Sequence, residues 1–132
     1  MSNVKLIDEA KEDLKDLDGA ARKLILKALV KLETEPEKRG ENLGNKTAIG
    51  NLTGLRKLVV GDRTYRIVYD VRDDGTIVVV WVIGNRVDSE AYALAKARLD
   101  LYSTDYNKKA VLQSLLDQVR ILNHSTAGWL DK

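Results

Sequence analysis

The sequence has no cysteine, no phenylalanine, one proline and one histidine among its 132 residues. Without cysteine the chain cannot form disulfides, thiolate zinc sites or a cysteine nucleophile, which is typical of proteins in a reducing compartment. The first residues mix charges instead of forming the apolar segment of an export signal. The longest apolar run, Ile77 to Ile83, is too short to span a bilayer. We therefore expect a cytoplasmic protein that does not use a membrane.

Familiar catalytic motifs are also missing from the sequence. It contains no HExxH, no GxxxxGK[ST] phosphate loop, no GxGxxG before a helix and no Ser-His-Asp set with a credible base. His124 stands alone among polar residues, and a solvent-exposed histidine explains it better than a catalytic one. We predict neither a metal nor another cofactor.

The charge is distributed unevenly, although the net charge is only +2. Residues 1–41 carry nine basic and ten acidic side chains, whereas residues 42–98 carry nine basic and six acidic ones. A local basic surplus of this kind can hold a polyanion. An ordinary solvated surface accounts for the count about equally well.

The order of the periodic segments predicts an α+β fold. A β-like start at residues 3–7 precedes two amphipathic helices, one opened by Asp8 and one from Ala21 to Leu32, which predict a helical hairpin. Residues 37–54 are polar and glycine-rich, so we interpret them as a connecting loop. The segments LRKLVV, TYRIVYDV and TIVVVWVI then predict an antiparallel meander. We expect the hairpin to pack on one face of a twisted, mainly antiparallel four-stranded sheet and to leave the other face at least partly open.

Helical patterns return after the strands. AYALAKARL predicts one helix, and the apolar stripe from Val111 to Leu122 predicts another, with Asp105 or Asn107 as its N-cap. We expect residues 1–102 to form the main domain and residues 103–132 to be a C-terminal helical extension packed on that domain.

A cationic and phenolic set stands out in the second half of the chain: Lys57, Arg66, Arg86 and Tyr92. Neighbouring strands of a meander can bring these residues to one exposed face. Guanidinium groups hold phosphate oxygens and stabilise the charge of a pentavalent transition state, so the set suits metal-free RNA cleavage by the ribose 2′-OH. Each residue also has a structural interpretation: Lys57 as a solvated strand residue, the arginines as ion-pair partners and Tyr92 as a packing residue.

A family resemblance lies in these same segments. LRKLVVGDRTYRIVYDVRDDGTIVVVWVIGNRVDSEAYALAKARL resembles the C-terminal half of RelE/ParE-superfamily toxins, the toxin half of bacterial and archaeal toxin–antitoxin pairs. VKLIDEAKEDLKDL resembles the first strand and helix of that family. The resemblance covers about residues 3–101 and is most specific in YRIVY and in GNR…Y.

The resemblance to the RelE-like branch implies a ribosome-dependent messenger RNA endonuclease. Lys57 then matches the general base, Arg66 the arginine that stabilises the phosphate, Arg86 an acid or charge stabiliser, and Tyr92 the tyrosine that stacks on a base. It also implies a cognate antitoxin, the ribosome and messenger RNA as partners, with operator DNA bound only through the antitoxin.

One departure from the family pattern concerns Leu55, which stands where the best-known branch has a second lysine. Lys46, Arg56 and Arg63 are the candidate additional substrate-binding cations, although alternation points Arg56 to the other face of the sheet. Two alternatives stay open: a ParE-like toxin that poisons DNA gyrase without cleaving RNA, and an inactive, domesticated family member.

Overall fold

The computed structural model describes residues 2–44, 52–62 and 64–130. The chain divides into two compact units, Met1–Leu99 and Asp100–Lys132, and the boundary falls within the third α-helix. The described strands and helices follow the order β1 Asn3–Leu6, α1 Asp8–Lys15, α2 Gly19–Lys31, β2 Glu41–Gly44, β3 Leu52–Val60, β4 Tyr65–Arg72, β5 Ile77–Gly84, α3 Asp88–Thr104 and α4 Tyr106–Leu130, with short 3₁₀ turns at Pro36–Lys38 and Asp73–Gly75.

The described strands form one mixed sheet in the order β1-β5-β4-β3-β2. The predicted meander β3-β4-β5 is antiparallel, and β1 pairs in parallel with β5. The α+β class is thus confirmed. The prediction of four strands was wrong, because β2 lies in the segment that we interpreted as a loop. Its sequence, ENLG, has no strand alternation, and it becomes a strand by pairing with β3.

The helical hairpin is present, and its first helix begins at Asp8 as predicted. The Asp18 side chain accepts a hydrogen bond of 2.8 Å from the Ala21 N–H and so caps α2. The buried side of α2 follows the predicted stripe except at Leu24, which is 42% exposed. The buried members of the stripe are Ala21, Ile25, Ala28, Leu29 and Leu32.

Every residue of β5 is buried. Side chains alternate between the two faces of a sheet, so burial along the whole of β5 requires cover on both faces at this strand. The continuous apolar run TIVVVWVI, with no polar alternation, is the sequence pattern of such a strand.

A buried ion pair joins the start of the chain to α3. The Asp13 carboxylate in α1 accepts hydrogen bonds from Arg98 Nη1, at 2.7 Å, and from the Ile83 N–H, at 3.0 Å. Arg98 Nη1 also donates to the Trp81 carbonyl at 2.9 Å. The two side chains are only 13% and 9% exposed, so each charge depends on the other for its partner. The contact fixes α1, and the part of α3 that belongs to the first unit, on β5.

The second unit contains α4. Asp105, one of the two residues that we considered for its N-cap, caps the helix, because its carboxylate accepts a hydrogen bond of 3.0 Å from the Lys108 N–H. Tyr102, Leu116 and Val119 are buried. None of the helices in the described ranges has the length and apolarity needed to cross a bilayer.

Gly40 allows β2 to approach β3 beside Lys57. Its φ is +65°, and a Cβ at this position would lie 2.1 Å from the backbone oxygen of Lys57. An L-residue is strained in this conformation, and the clash is with backbone that cannot rotate away.

We predict that Gly40→Ala lowers the free energy of unfolding by at least about 2 kcal/mol, because it adds both backbone strain and a steric clash. Gly19→Ala is the control, since Gly19 has no neighbouring atom within 4 Å of the added Cβ and begins a helix. It is expected to be neutral or to stabilise by up to about 1 kcal/mol. Urea denaturation measures both values, and equal effects would contradict the close approach at Gly40.

Candidate functional site

Lys57 and Arg66 lie on the same face of two neighbouring strands. In the register of β3 and β4, Lys57 pairs with Val68 and Arg66 with Val59, so side-chain alternation brings both cations to one side. Their side chains are only 14% and 18% exposed. Two charges that are largely removed from water need an anion nearby.

Asp88 supplies that anion. Its Oδ2 accepts a hydrogen bond of 2.9 Å from Lys57 Nζ, and its Oδ1 accepts one from Arg66 Nε. Glu41 in β2 also approaches Lys57, with 3.4 Å between Oε2 and Nζ, but its side chain is 75% exposed, so water screens this pair. Asp88 is therefore the principal counter-ion, and it holds one cation with each oxygen.

The junction between β5 and α3 places Asp88 at this position. β5 ends at Gly84, directly opposite Arg66 in the register, and α3 begins at Asp88. Arg66 Nη1 also donates to the backbone oxygen of Arg86 at 2.7 Å, so its guanidinium fixes the connecting turn as well as the carboxylate. A negative charge in the first turn of a helix is favoured by the helix dipole.

Tyr92 belongs to the same cluster because it follows Asp88 by one helical turn. Lys57 Nζ lies 5.8 Å from the centroid of its ring, within the range of a cation–π contact. The Tyr92 side chain is buried, with only 8% of the residue exposed. In this arrangement the ring contacts the lysine and presents little surface on which a base can stack.

Contacts within the cluster shift the pKa values of Lys57 and Asp88. Burial alone lowers the pKa of Lys57, but hydrogen bonds to Asp88 and Tyr92 outweigh it and raise this pKa above the ordinary 10.5. The hydrogen bond from Lys57, followed by that from Arg66, holds the pKa of Asp88 below its ordinary value despite partial burial. Lys57 therefore carries a proton throughout the physiological range, which opposes a general-base role while Asp88 is in contact.

Arg86 joins this cluster through its backbone only. Its side chain is exposed, and within the residues that the structure describes it forms no ion pair. The side chain lines a small pocket together with Asp13, Asp16 and Asn85. Arg86 is thus a cation open to solvent beside the cluster.

The remaining predicted residues lie elsewhere. Arg56 donates to the backbone oxygens of Arg39, at 3.0 Å, and Gly40, at 3.2 Å, on the face opposite Lys57. Leu55 shares the face of Lys57 but is only 3% exposed, so this position is part of the core. The predictions for Lys46 and Arg63 concern residues outside the described part of the chain.

Sequence reasoning missed the two carboxylates of the cluster. The spacing of Asp88 and Tyr92 was a usable signal for the first, since residues four apart share a helix face. Glu41 gave no signal, because its contact depends on the unpredicted strand β2, where it pairs with Lys57. Among the residues that the structure describes, no group of three or more histidine or acidic side chains is arranged to hold a metal ion.

Comparisons with known proteins give one family model and several solved structures of similar fold. The family model described as the ParE toxin of a type II toxin–antitoxin system, parDE, matches residues 4–89. No curated protein matches. Among solved structures, a free double mutant of the E. coli toxin RelE has a TM-score of 0.59 at 23% identity, covering 74% of this chain and 96% of RelE.

Two further RelE structures are similar. Isolated E. coli RelE gives a TM-score of 0.52 at 24% identity, covering 75% of this chain and 99% of the other. The RelE double mutant in complex with a peptide of its antitoxin RelBc gives 0.52 at 23% identity, covering 71% and 93%. Likeness at this level of identity concerns the fold.

We predict that Asp88→Asn lowers the pKa of Lys57, because the main group that opposes the effect of burial loses its charge. Glu41→Gln is the control and is expected to change this pKa much less, since Glu41 is exposed. The pH titration of the lysine side-chain NMR signals measures both. Equal shifts in the two variants would contradict the assignment of Asp88 as the principal counter-ion.

The same pair predicts how stability depends on pH. The pKa of Lys57 is higher in the folded state, so its contribution is complete below 10.5 and is lost as the pH rises through the folded value. The pKa of Asp88 is lower in the folded state, so its contribution is present above 3.8 and is lost as the pH falls through the folded value. Asp88→Asn should therefore flatten the stability profile at both extremes in pH-dependent urea denaturation.

Proposed function

The chain belongs to the ParE toxin family of type II toxin–antitoxin systems, within the RelE/ParE superfamily, and from this premise we propose that it is a ribosome-dependent endonuclease of messenger RNA. The observation that carries the proposal is the convergence of Lys57 and Arg66 on the two oxygens of one carboxylate. A phosphodiester presents two non-bridging oxygens with the same need for charged donors. The exposed guanidinium of Arg86 adds a third cation at the edge.

The proposed reaction is an in-line attack by the ribose 2′-oxygen on phosphorus. The new bond gives a 2′,3′-cyclic phosphate while the bond to the 5′-oxygen breaks, and this oxygen takes a proton from water to become a 5′-hydroxyl. Lys57 and Arg66 neutralise the charge on the phosphoryl oxygens in the transition state. DNA, which has no 2′-hydroxyl, is not cleaved by this route.

The raised pKa of Lys57 suits a charge stabiliser or proton donor better than the general base that the family resemblance implies. We therefore assign Lys57 to the phosphate and not to the 2′-hydroxyl. The proton of that hydroxyl then passes to water or to a group of the ribosome. Tyr92 holds the lysine from one side and becomes a stacking surface only if it leaves its buried position.

The proposed protein partner is a cognate antitoxin. The similar RelE double mutant is found in complex with a peptide of the antitoxin RelBc, and membership of a type II system implies a partner of this class. The antitoxin is expected to prevent toxicity by binding the toxin directly.

A ParE-like toxin that binds and poisons DNA gyrase is the second candidate, because the family model that matches is that of the ParE toxin. Gyrase poisoning requires a binding surface but no cation that stabilises a transition state. The response of toxicity to the loss of Arg86 therefore separates the two candidates.

We expect induced expression in a bacterial host to arrest growth and to create new 5′ ends in a reporter messenger RNA during translation. Arg86→Gln should reduce the yield of these ends by about a hundredfold, the typical cost of losing one transition-state charge stabiliser. Primer extension measures the ends. Because Arg86 is exposed, the variant should fold normally.

Lys27→Gln is the matched control, since it removes one positive charge from an exposed position on α2. It should leave both arrest and RNA ends unchanged. Arrest without new ends, together with altered supercoiling of a reporter plasmid, would replace the endonuclease by the gyrase candidate. The absence of arrest would indicate an inactive family member.

A further inference from the structure

We propose that Asp88 occupies the phosphate position of the Lys57–Arg66 pair, so that the toxin's own carboxylate closes the site until a phosphodiester of RNA displaces it. The inference rests on the proposed nucleic-acid substrate and identifies the group with which this substrate competes. The contacts, charges and exposure of the three side chains carry the argument.

The contacts of Asp88 match those of a bound phosphodiester. Each carboxylate oxygen takes one charged donor, Nζ of Lys57 and Nε of Arg66, and these donors come from different strands. A phosphodiester with its two non-bridging oxygens on the same donors would need the positions of the two carboxylate oxygens and would carry the same single negative charge. The two anions therefore exclude each other from these positions.

The charge of the cluster changes when Asp88 leaves. Lys57, Arg66 and Asp88 sum to +1, whereas the two cations alone sum to +2. Since both cations are mostly shielded from water, this difference acts in a medium where charge interactions are stronger than in solvent. RNA thus gains a markedly better anion site if it can displace the carboxylate.

The structure makes Asp88 the movable member of the cluster. Its side chain is 42% exposed, whereas those of Lys57 and Arg66 are 14% and 18% exposed and belong to residues held in the sheet. Asp88 is the first residue of α3, so its side chain can rotate toward water without breaking helical backbone hydrogen bonds. Displacement leaves neither cation without a partner, because the incoming phosphate takes over both contacts while water solvates the released carboxylate.

A different role for Asp88 is that of the general base. The geometry disfavours it, because both oxygens already accept hydrogen bonds from cations and the pKa of the group is lowered. A base must accept the 2′-hydroxyl proton, and this arrangement stabilises the deprotonated form. The two roles predict opposite results when the charge is removed, since a base is required for cleavage and a competitor opposes binding.

The test uses the full chain, made by cell-free synthesis, and a fluorescein-labelled RNA oligonucleotide whose 2′-hydroxyls are methylated so that it cannot be cleaved. We expect Asp88→Asn and Asp88→Ala to bind it about tenfold more tightly than the wild type, on the scale of one charged hydrogen-bonding contact. The slope of log K against log salt should steepen, since more phosphate charge is neutralised.

Glu90→Gln is the matched control. It removes the same charge from the first turn of the same helix, and Glu90 is exposed and forms no ion pair among the described residues. It should change the affinity by less than about twofold, the size expected for a screened surface charge. Thermal unfolding of each variant verifies that the chain is folded. An equal gain in Glu90→Gln and Asp88→Asn would assign the effect to net charge and overturn the proposal.

Unchanged or weaker binding by both Asp88 variants, or no binding by any protein, would also overturn it. Loss of messenger RNA cleavage in Asp88→Asn with unchanged oligonucleotide binding would instead identify Asp88 as a base. Failure of the proposed function is a separate result: if the Asp88 variants bind more tightly but neither they nor the wild type cleaves RNA on the ribosome, the displacement stands and the endonuclease reaction does not.

Discussion

Two cations on neighbouring strands, largely removed from water, need an anion, and this requirement organises the candidate site. Lys57 and Arg66 lie on the same face of the sheet, and both side chains are largely shielded from water, so their charges need a nearby anion. The turn after β5 and the start of α3 supply the partners together. The Arg86 carbonyl accepts from Arg66, and the Asp88 carboxylate at the start of α3 accepts from both cations. The turn that joins strand to helix is thereby fixed by electrostatics as well as by its own backbone.

The same contacts connect the site to the rest of the first unit. Residues of α3 reach the sheet at two points: Asp88 binds the cations of β3 and β4, and Arg98 donates to the Trp81 carbonyl of β5 while it pairs with Asp13 of α1. Both contacts pair a largely shielded cation with a carboxylate. A helix held at both points sets the position of Tyr92 between them, which explains why this ring is buried against Lys57 and not presented to solvent. Site geometry and core packing are therefore parts of one arrangement.

For function, the cluster combines a strong anion site with an internal anion already in it. Membership of the ParE toxin family makes the protein a toxin of a type II toxin–antitoxin system, and a toxin that cleaves RNA needs cations that stabilise a phosphate. The same cations must not attract every polyanion in the cell. Electrostatic attraction alone carries no selectivity. A carboxylate that leaves the cations in place but weakens non-specific binding is physically consistent with both the stabilisation of a phosphate and the exclusion of other polyanions.

The sequence by itself determined the elements with strong local signals. Apolar periodicity predicted both helices of the hairpin and the three strands of the meander, and residue type offered Asp105 as one of two candidates for the cap of α4. Only the tertiary structure decided what depends on residues distant in the chain. β2 exists because β3 pairs with it, Leu55 is buried by packing, and Asp88 is a counter-ion because the turn after β5 returns it to Lys57. Period and propensity are local properties, whereas pairing, burial and proton affinity depend on neighbours that the fold supplies.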